Sequence, residues 1–359
     1  MPPVLVVEDD RFLRVVSLVL DPNAGRERYA AYADFFAHDE PDFDGWCAKV
    51  RGRAQGLFPA EVRLVETQDA LVQNLADARA LIVEGLEVGA AEVAAAPQLQ
   101  AVQKYGVDLR RIDTKACAAN GVAVLTIRRR ANIACAELAF TLMLMLARRV
   151  NELQGRISAA ALAALGYPYK PFDRRHTPNS NWGRIPGLEI VFGATVGIVG
   201  LGEIGREFAS RAAAFGMRIL YTQRRQTAPA VEQQYQATYR PMELLLAESD
   251  WVAIFVPTGP ATRNLIGRAE LERMRPGARL INISRADVVD HEALLEALRS
   301  GRLGGFALDP LYESPGRDDD ELLKFPNVIM TPHIAAQPRF NALNDLEDMI
   351  VGLARVLAA

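Results

Sequence analysis

An α/β fold of two doubly wound parallel-sheet domains is what this sequence predicts, on three observations. Short apolar runs alternate with longer amphipathic stretches from end to end. A length of 359 residues leaves room for about two domains, each able to bury a core. A second alternating series starts afresh at ATVGIVG, after an interruption rich in proline and aromatic residues.

The chain opens MPPVLVVEDDRFLR, an apolar strand-like run ending in Glu8, Asp9 and Asp10. A phospho-accepting receiver domain begins the same way, with acids that hold a hard cation. The strand EVRLVE that follows ends in Glu66, with no aspartate placed to complete such a cluster. The opening is therefore read as the first strand of a parallel sheet, with its acids in a βα loop. The runs VRLVE, ALIVEG, LQAVQKYG and VAVLTI continue the strand series. Between them DALVQNLADA and DTKACAANG can turn as helices. The stretch 21–56 reads as irregular, an insertion or a peripheral helix.

A long apolar helix is expected over 134–154, buried between domains, with Leu138, Leu142, Leu144 and Leu146 on it. GYPYKPFDRRHTPNSNWGRIPG cannot be helix and is too aromatic for a plain linker. It is either a cover over a site or an arm that packs on a partner subunit. The second series then runs through MRILYT, WVAIFVP, ARLINIS, GGFALD and NVIMTPH, and 339–357 carries apolar residues at helical spacing. Two sheet domains of this kind place a site in the cleft between them.

Composition excludes several classes. A net charge of -3 gives no general pull toward nucleic acid or anionic membrane. Three scattered cysteines, Cys47, Cys117 and Cys135, form neither a disulfide framework nor a zinc site, and no metal is expected. No apolar run is read as a membrane span, because Glu137, Arg148 and Arg149 interrupt the longest. No export signal is visible, and a reduced cytoplasmic compartment is the default expectation.

The strongest local signal is TVGIVGLGEIGREFASRAAAFGMRILYTQRR. Gly200-Leu201-Gly202-Glu203-Ile204-Gly205 joins a buried strand to a helix, whose N-terminus faces an anion as in dinucleotide folds. After the next strand, Gln223, Arg224 and Arg225 stand where an NAD enzyme places an acid. A guanidinium pairs with a 2′-phosphate, so NADP(H) is preferred, with NAD(H) possible. Arg285, then Asp309 and Glu313, then His333 follow three successive strands, at the strand ends where open α/β sheets build their sites.

On these motifs the chain resembles the D-isomer-specific 2-hydroxyacid dehydrogenase family, of the glyoxylate/hydroxypyruvate reductase or phosphoglycerate dehydrogenase type. The resemblance is densest over 99–337. It implies that Arg285 clamps the substrate carboxylate and carbonyl, that His333 is the general acid and base, and that a glutamate before a proline orients the histidine. It implies that Asp309 meets the nicotinamide amide and that Val256, Pro257, Ile283 and Ser284 line the cofactor. The stretch VQKYGVDLRRID matches the carboxylate-binding loop, with Tyr105, Gly106 and Val107 at the substrate. The same resemblance implies a flavodoxin-like substrate domain, 1–133 completed by 336–359, and a Rossmann cofactor domain, 134–335.

The departures are specific. Asp108 replaces a glycine, Phe255 a histidine, and Ala286 the glycine after the arginine. The family's catalytic glutamate falls on Ser314, with Glu313 one place earlier, so either the loop is re-registered and Glu313 serves or the histidine lacks its usual partner. Lys104, Tyr105, the run Arg128-Arg129-Arg130 and Trp182 are candidates to border the pocket, the arginine run serving a second anionic group or being a solvated charge run. The expected protein is an oxidoreductase moving hydride between NADP(H) and C2 of a small 2-oxo or D-2-hydroxy acid, as a homodimer. Its rivals are a catalytically weak nucleotide-sensing binding protein and a dehydrogenase of formate or phosphite type.

Overall fold

The computed structural model describes residues 2–358, which divide into two compact units. Unit 1 is Met1–Asn132 with Ala336–Ala359, and unit 2 is Ile133–Ala335. The first crossing, expected after residue 133, falls one residue earlier.

Unit 1 carries strands β1 (Val4–Glu8), β2 (Glu61–Val65), β3 (Ala78–Val83), β4 (Ala101–Lys104) and β5 (Ala123–Leu125), in the spatial order β2-β1-β3-β4-β5. All their pairings are parallel. This order reverses direction between β1 and β3, the switch point where doubly wound sheets gather ligand-binding loops. The three opening acids have local employment there. Glu8 accepts from backbone amides after β3, Asp9 pairs with Arg14, and Asp10 accepts from the amides of Phe12 and Leu13 at 2.8 and 3.2 Å.

The stretch 21–56, read as an insertion or a peripheral helix, holds two helices, Arg26–Phe36 and Phe43–Arg53. Phe43, Trp46, Cys47 and Val50 fall at i, i+3, i+4 and i+7 and are buried, a spacing that was present beneath the mixed charge. Asp42 caps the second helix by accepting from the Gly45 amide at 2.8 Å. The Phe36, Phe43 and Trp46 rings stack at 5.8 and 5.6 Å.

Unit 2 carries β6 (Thr195–Val199), β7 (Arg218–Thr222), β8 (Ala237–Tyr239), β9 (Trp251–Ile254), β10 (Arg279–Asn282), β11 (Gly305–Leu308) and β12 (Val328–Met330). They form one parallel sheet, β12-β11-β10-β9-β6-β7-β8. β6, β9 and β11 are buried along their whole length, as continuous apolar strands covered on both faces must be.

The long helix runs Arg130–Ala147, not 134–154. Arg149 then adopts a left-handed φ of 53°, which starts a separate turn at Val150–Leu153. By length and composition Arg130–Ala147 is long and apolar enough to cross a membrane, against the expectation that no run is. Its Ala136, Ala139, Phe140, Met143 and Leu146 are buried in the core of unit 2 with residues of β6, β7 and β9, which explains why it is so apolar. The expected C-terminal helix spans Phe340–Ala358.

Candidate active site

The dinucleotide turn follows β6. Gly200 has φ 98°, and a Cβ there would lie 2.8 Å from the Phe255 carbonyl oxygen. A Cβ on Gly205 would lie 2.2 Å from the Gly200 oxygen, so the helix Glu203–Ala214 sits directly on the turn. At Gly202, which caps that helix, a Cβ would meet nothing within 4 Å, leaving room for a phosphate beside the first-turn amides. These features fit a dinucleotide.

After β7, Gln223 folds its amide onto the Arg225 carbonyl at 2.7 Å, and the Arg224 and Arg225 side chains are exposed. The nearest acid in sequence, Glu232, accepts from the Tyr221 hydroxyl at 2.7 Å and the Gln226 amide at 2.9 Å. That carboxylate is occupied inside the unit. Phe255, in the place of a histidine, packs its ring 5.1 Å from Phe208 and belongs to the aromatic core, with Val256 half-buried after it.

Three neighbouring strands, β10, β11 and β12, deliver the candidate chemistry at their C-terminal ends. Arg285 is exposed, and its guanidinium donates to the Ser284 carbonyl at 2.7 Å. Its turn is held by Asn282, which is fully buried. The Asn282 side chain donates to the Arg285 carbonyl at 2.9 Å and accepts from the Ser284 amide at 3.0 Å. Sequence reasoning missed Asn282; an amide side chain closing an apolar strand was the available signal. Ser284 donates to the Ile254 carbonyl at 3.0 Å, tying the turn to β9, and Ile283 is buried beside it.

Asp309 is fully buried and clasps the histidine loop. Its Oδ1 accepts from the Thr331 hydroxyl at 2.6 Å and the Ile334 amide at 2.8 Å, and its Oδ2 accepts from the Ala335 amide at 2.8 Å. With both oxygens accepting hydrogen bonds, this carboxylate holds the histidine loop, a role that stands beside the contact with a nicotinamide amide that the resemblance implies. His333 is exposed, with a left-handed φ of 58° that costs a non-glycine residue strain. Its amide donates to the Asp309 and Thr331 carbonyls at 3.0 and 2.9 Å.

Glu313 is not brought to His333. No carboxylate among the described residues lies within 4.0 Å of the His333 ring nitrogens; Glu313 is exposed and its charge acts on Arg317. Tyr312 explains the local path. Its hydroxyl donates to the Val289 carbonyl at 2.9 Å and its ring meets His291 at 4.6 Å, which anchors the loop just before Glu313.

In unit 1 the loop after β4 has two buried residues, Tyr105 and Gly106, and then exposed Val107. The Gly106 carbonyl accepts from the Ile127 amide at 3.0 Å. Burial pushes the Tyr105 hydroxyl up to about 12, so the ring is a neutral core side chain rather than a titrating group. Asp108, in the place of a glycine, pairs with Arg110. Within the arginine run, Arg130 pairs with Asp345 and Asp348 at 2.9 and 2.8 Å, and the Arg129 guanidinium lies 4.1 Å from the Tyr105 ring centre. Trp182 meets Tyr169 at 5.6 Å within its own loop.

A glycine-rich turn at a helix N-terminus, with an arginine and a histidine at strand ends of the same sheet, defines a nucleotide-dependent oxidoreductase class. Residues 140–335 match the model of the D-isomer specific 2-hydroxyacid dehydrogenase, NAD binding domain. The chain is 36% identical to a glyoxylate reductase of Thermococcus gammatolerans over 71% of its length and 72% of that protein's. It is 31% identical to a D-3-phosphoglycerate dehydrogenase of Methanocaldococcus jannaschii over 77% of this chain and 49% of that one. The fold matches that of Rhodotorula graminis D-mandelate dehydrogenase with a TM-score of 0.55 at 23% identity, covering 98% of this chain and 93% of that one. The chain belongs to the D-isomer specific 2-hydroxyacid dehydrogenase family of NAD(P)-dependent oxidoreductases.

Proposed function

We propose that the protein reduces a small 2-oxo acid of the glyoxylate kind to its hydroxy acid, with NADPH preferred over NADH. The observation that carries this reading is the placement of Arg285 and His333 at the ends of β10 and β12, two strands apart in one sheet and both exposed. The nicotinamide, when bound, supplies the hydride. Gly200, Gly202, Glu203, Ile204 and Gly205 hold the pyrophosphate end, while Val256, Pro257, Ile283 and Ser284 line the path toward the nicotinamide.

Arg285 takes the substrate carboxylate and carbonyl oxygen in its planar fork and steadies the negative charge that develops on that oxygen. His333, protonated at a ring nitrogen, donates its proton to the same oxygen. The Gly106 and Val107 amides receive the acid group. Asp309 keeps the histidine in place by holding both sides of its loop, whereas the resemblance implies a glutamate as the residue that orients the histidine. Arg224 and Arg225 supply the cations for a 2′-phosphate, and the engagement of Glu232 with Tyr221 removes the acid that would repel it. Exposed Phe192, whose ring lies against Gly216, and neighbouring exposed Phe215 support a homodimer, because monomers rarely leave large apolar patches in water.

The lack of a carboxylate within 4.0 Å of the His333 ring among the described residues favours one rival, a nucleotide-binding protein with little turnover. A panel of 2-oxo acids assayed with NADPH and with NADH separates the two. Turnover of glyoxylate or a near relative, faster with NADPH at low cofactor concentration, is the expected result. Tight cofactor binding with no turnover on the whole panel would replace the reading with its rival.

A further inference from the structure

The reading above leaves the buried ammonium of Lys104 without a task. Its residue is 6% exposed, and no carboxylate oxygen among the described residues lies within 4.0 Å of Nζ. Burying a cation without a counter-charge is costly, so something must answer it. Its acceptors are two backbone carbonyls, that of Glu84 and, at 3.4 Å, that of Tyr105.

The first of these shows how the charge is answered. The Glu84–Gly85 peptide accepts from Lys104 at its carbonyl, and its N–H donates to the Glu8 carboxylate at 2.9 and 2.8 Å. The amides of Glu84 and Leu86 close the cradle around the same carboxylate at 2.6 and 3.0 Å. Anion and cation thus meet across one peptide plane.

The second peptide, Tyr105–Gly106, is arranged alike at its carbonyl end. At its other end the Gly106 N–H has no acceptor among the described residues, although Gly106 is buried. A buried amide without a partner is rare and marks a place for a missing acceptor. We propose that Lys104 is a positioning residue that polarises the Tyr105–Gly106 peptide, so that the Gly106 N–H binds the substrate carboxylate as the Gly85 N–H binds Glu8. An ammonium on the carbonyl draws electron density from the peptide and strengthens its N–H as a donor. This inference rests on the reading of the 105–107 loop as the seat of the acid group.

The test uses full-length enzyme saturated with NADPH, with oxamate as an unreactive probe and glyoxylate as substrate. Lys104→Met is expected to raise the oxamate inhibition constant and the glyoxylate KM by about tenfold, the scale of one charge-assisted hydrogen bond. It should change kcat by less than about twofold and leave NADPH affinity alone, since the lost interaction is made equally in ground and transition states. Lys104→Arg should recover most of the loss. Glu8→Gln removes the charge that opposes Lys104 and should tighten oxamate binding, whereas a merely structural pair would weaken it in both variants. If Lys104→Met does not fold, the double variant Glu8→Gln with Lys104→Met replaces it and is compared with Glu8→Gln. An unchanged inhibition constant in a wild-type background that turns over glyoxylate overturns this inference alone. Wild-type enzyme that neither turns over glyoxylate nor binds oxamate overturns the functional reading and this inference with it.

Discussion

Glu8 in unit 1 and Asp309 in unit 2 perform the same operation in different settings. Each lies at the C-terminal end of a parallel strand and gathers the donors of a neighbouring loop. Glu8 takes the amides of residues 84–86, and Asp309 takes the Thr331 hydroxyl with the Ile334 and Ala335 amides. They differ in burial. Glu8 is half-buried and answered across a peptide by Lys104, whereas Asp309 is fully buried and holds the loop that carries a strained histidine. A half-exposed clasp can be replaced by water; a buried one cannot, so the same hydrogen bonds carry unequal weight.

The sharpest break would come at those two positions. Asp309→Ala strands three donors around a fully buried position and should cost about 3 kcal/mol or more, with loss of turnover as the His333 loop relaxes. Glu8→Ala should cost about 1 kcal/mol, because water can reach the freed amides. Urea unfolding of both variants measures this, and equal costs would remove burial as the deciding difference.

Next in size is the arginine on the neighbouring turn. Arg285→Lys should lower kcat/KM by about 100-fold or more while the melting temperature barely moves, since the fork is lost and the guanidinium's hydrogen bond to the Ser284 carbonyl is an exposed one between adjacent residues. Asn282→Ala should lower both, because it leaves the Ser284 amide and the Arg285 carbonyl of the turn without their partner. Steady-state kinetics beside thermal melts distinguish a residue that acts on substrate from one that holds the loop.

A smaller effect is expected at the cofactor's ribose. Replacing Arg224 and Arg225 by Ala should weaken NADPH by roughly 1.5–3 kcal/mol and leave NADH unchanged, as fluorescence titration would read. Equal weakening of both cofactors would make these arginines general anion contacts.

The smallest effect belongs to Glu313. Of the two alternatives open in the sequence, the one that re-registers the loop brings this carboxylate to His333, in which case Glu313→Gln would move the fall-off in reduction to lower pH. In the fold it lies exposed, with no ion pair to His333 within 4.0 Å, so the variant should leave the pH profile and the melting temperature unchanged. A shifted profile would show that the loop re-registers when ligands bind.

Much of the architecture was legible because local rules carry it. Strands covered on both faces must be apolar, so their runs stood out, and the turn Gly200–Gly205 needs small residues wherever it occurs. The helix Phe43–Arg53 was legible too, through buried residues at helical spacing, but its mixed charge hid it. What the sequence by itself determined was therefore the order of strands and helices, the dinucleotide turn, and which strand ends carry Arg285, Asp309 and His333. Only the tertiary structure decided which carboxylate holds the histidine loop, that Glu313 stays exposed rather than paired with His333, and that Lys104 and Glu8 meet across a peptide. Periodicity and turn chemistry act over a few residues and leave a mark in the sequence. A hydrogen bond between residues 76 or 25 positions apart depends on how strands are ordered and loops close, and no local pattern records it.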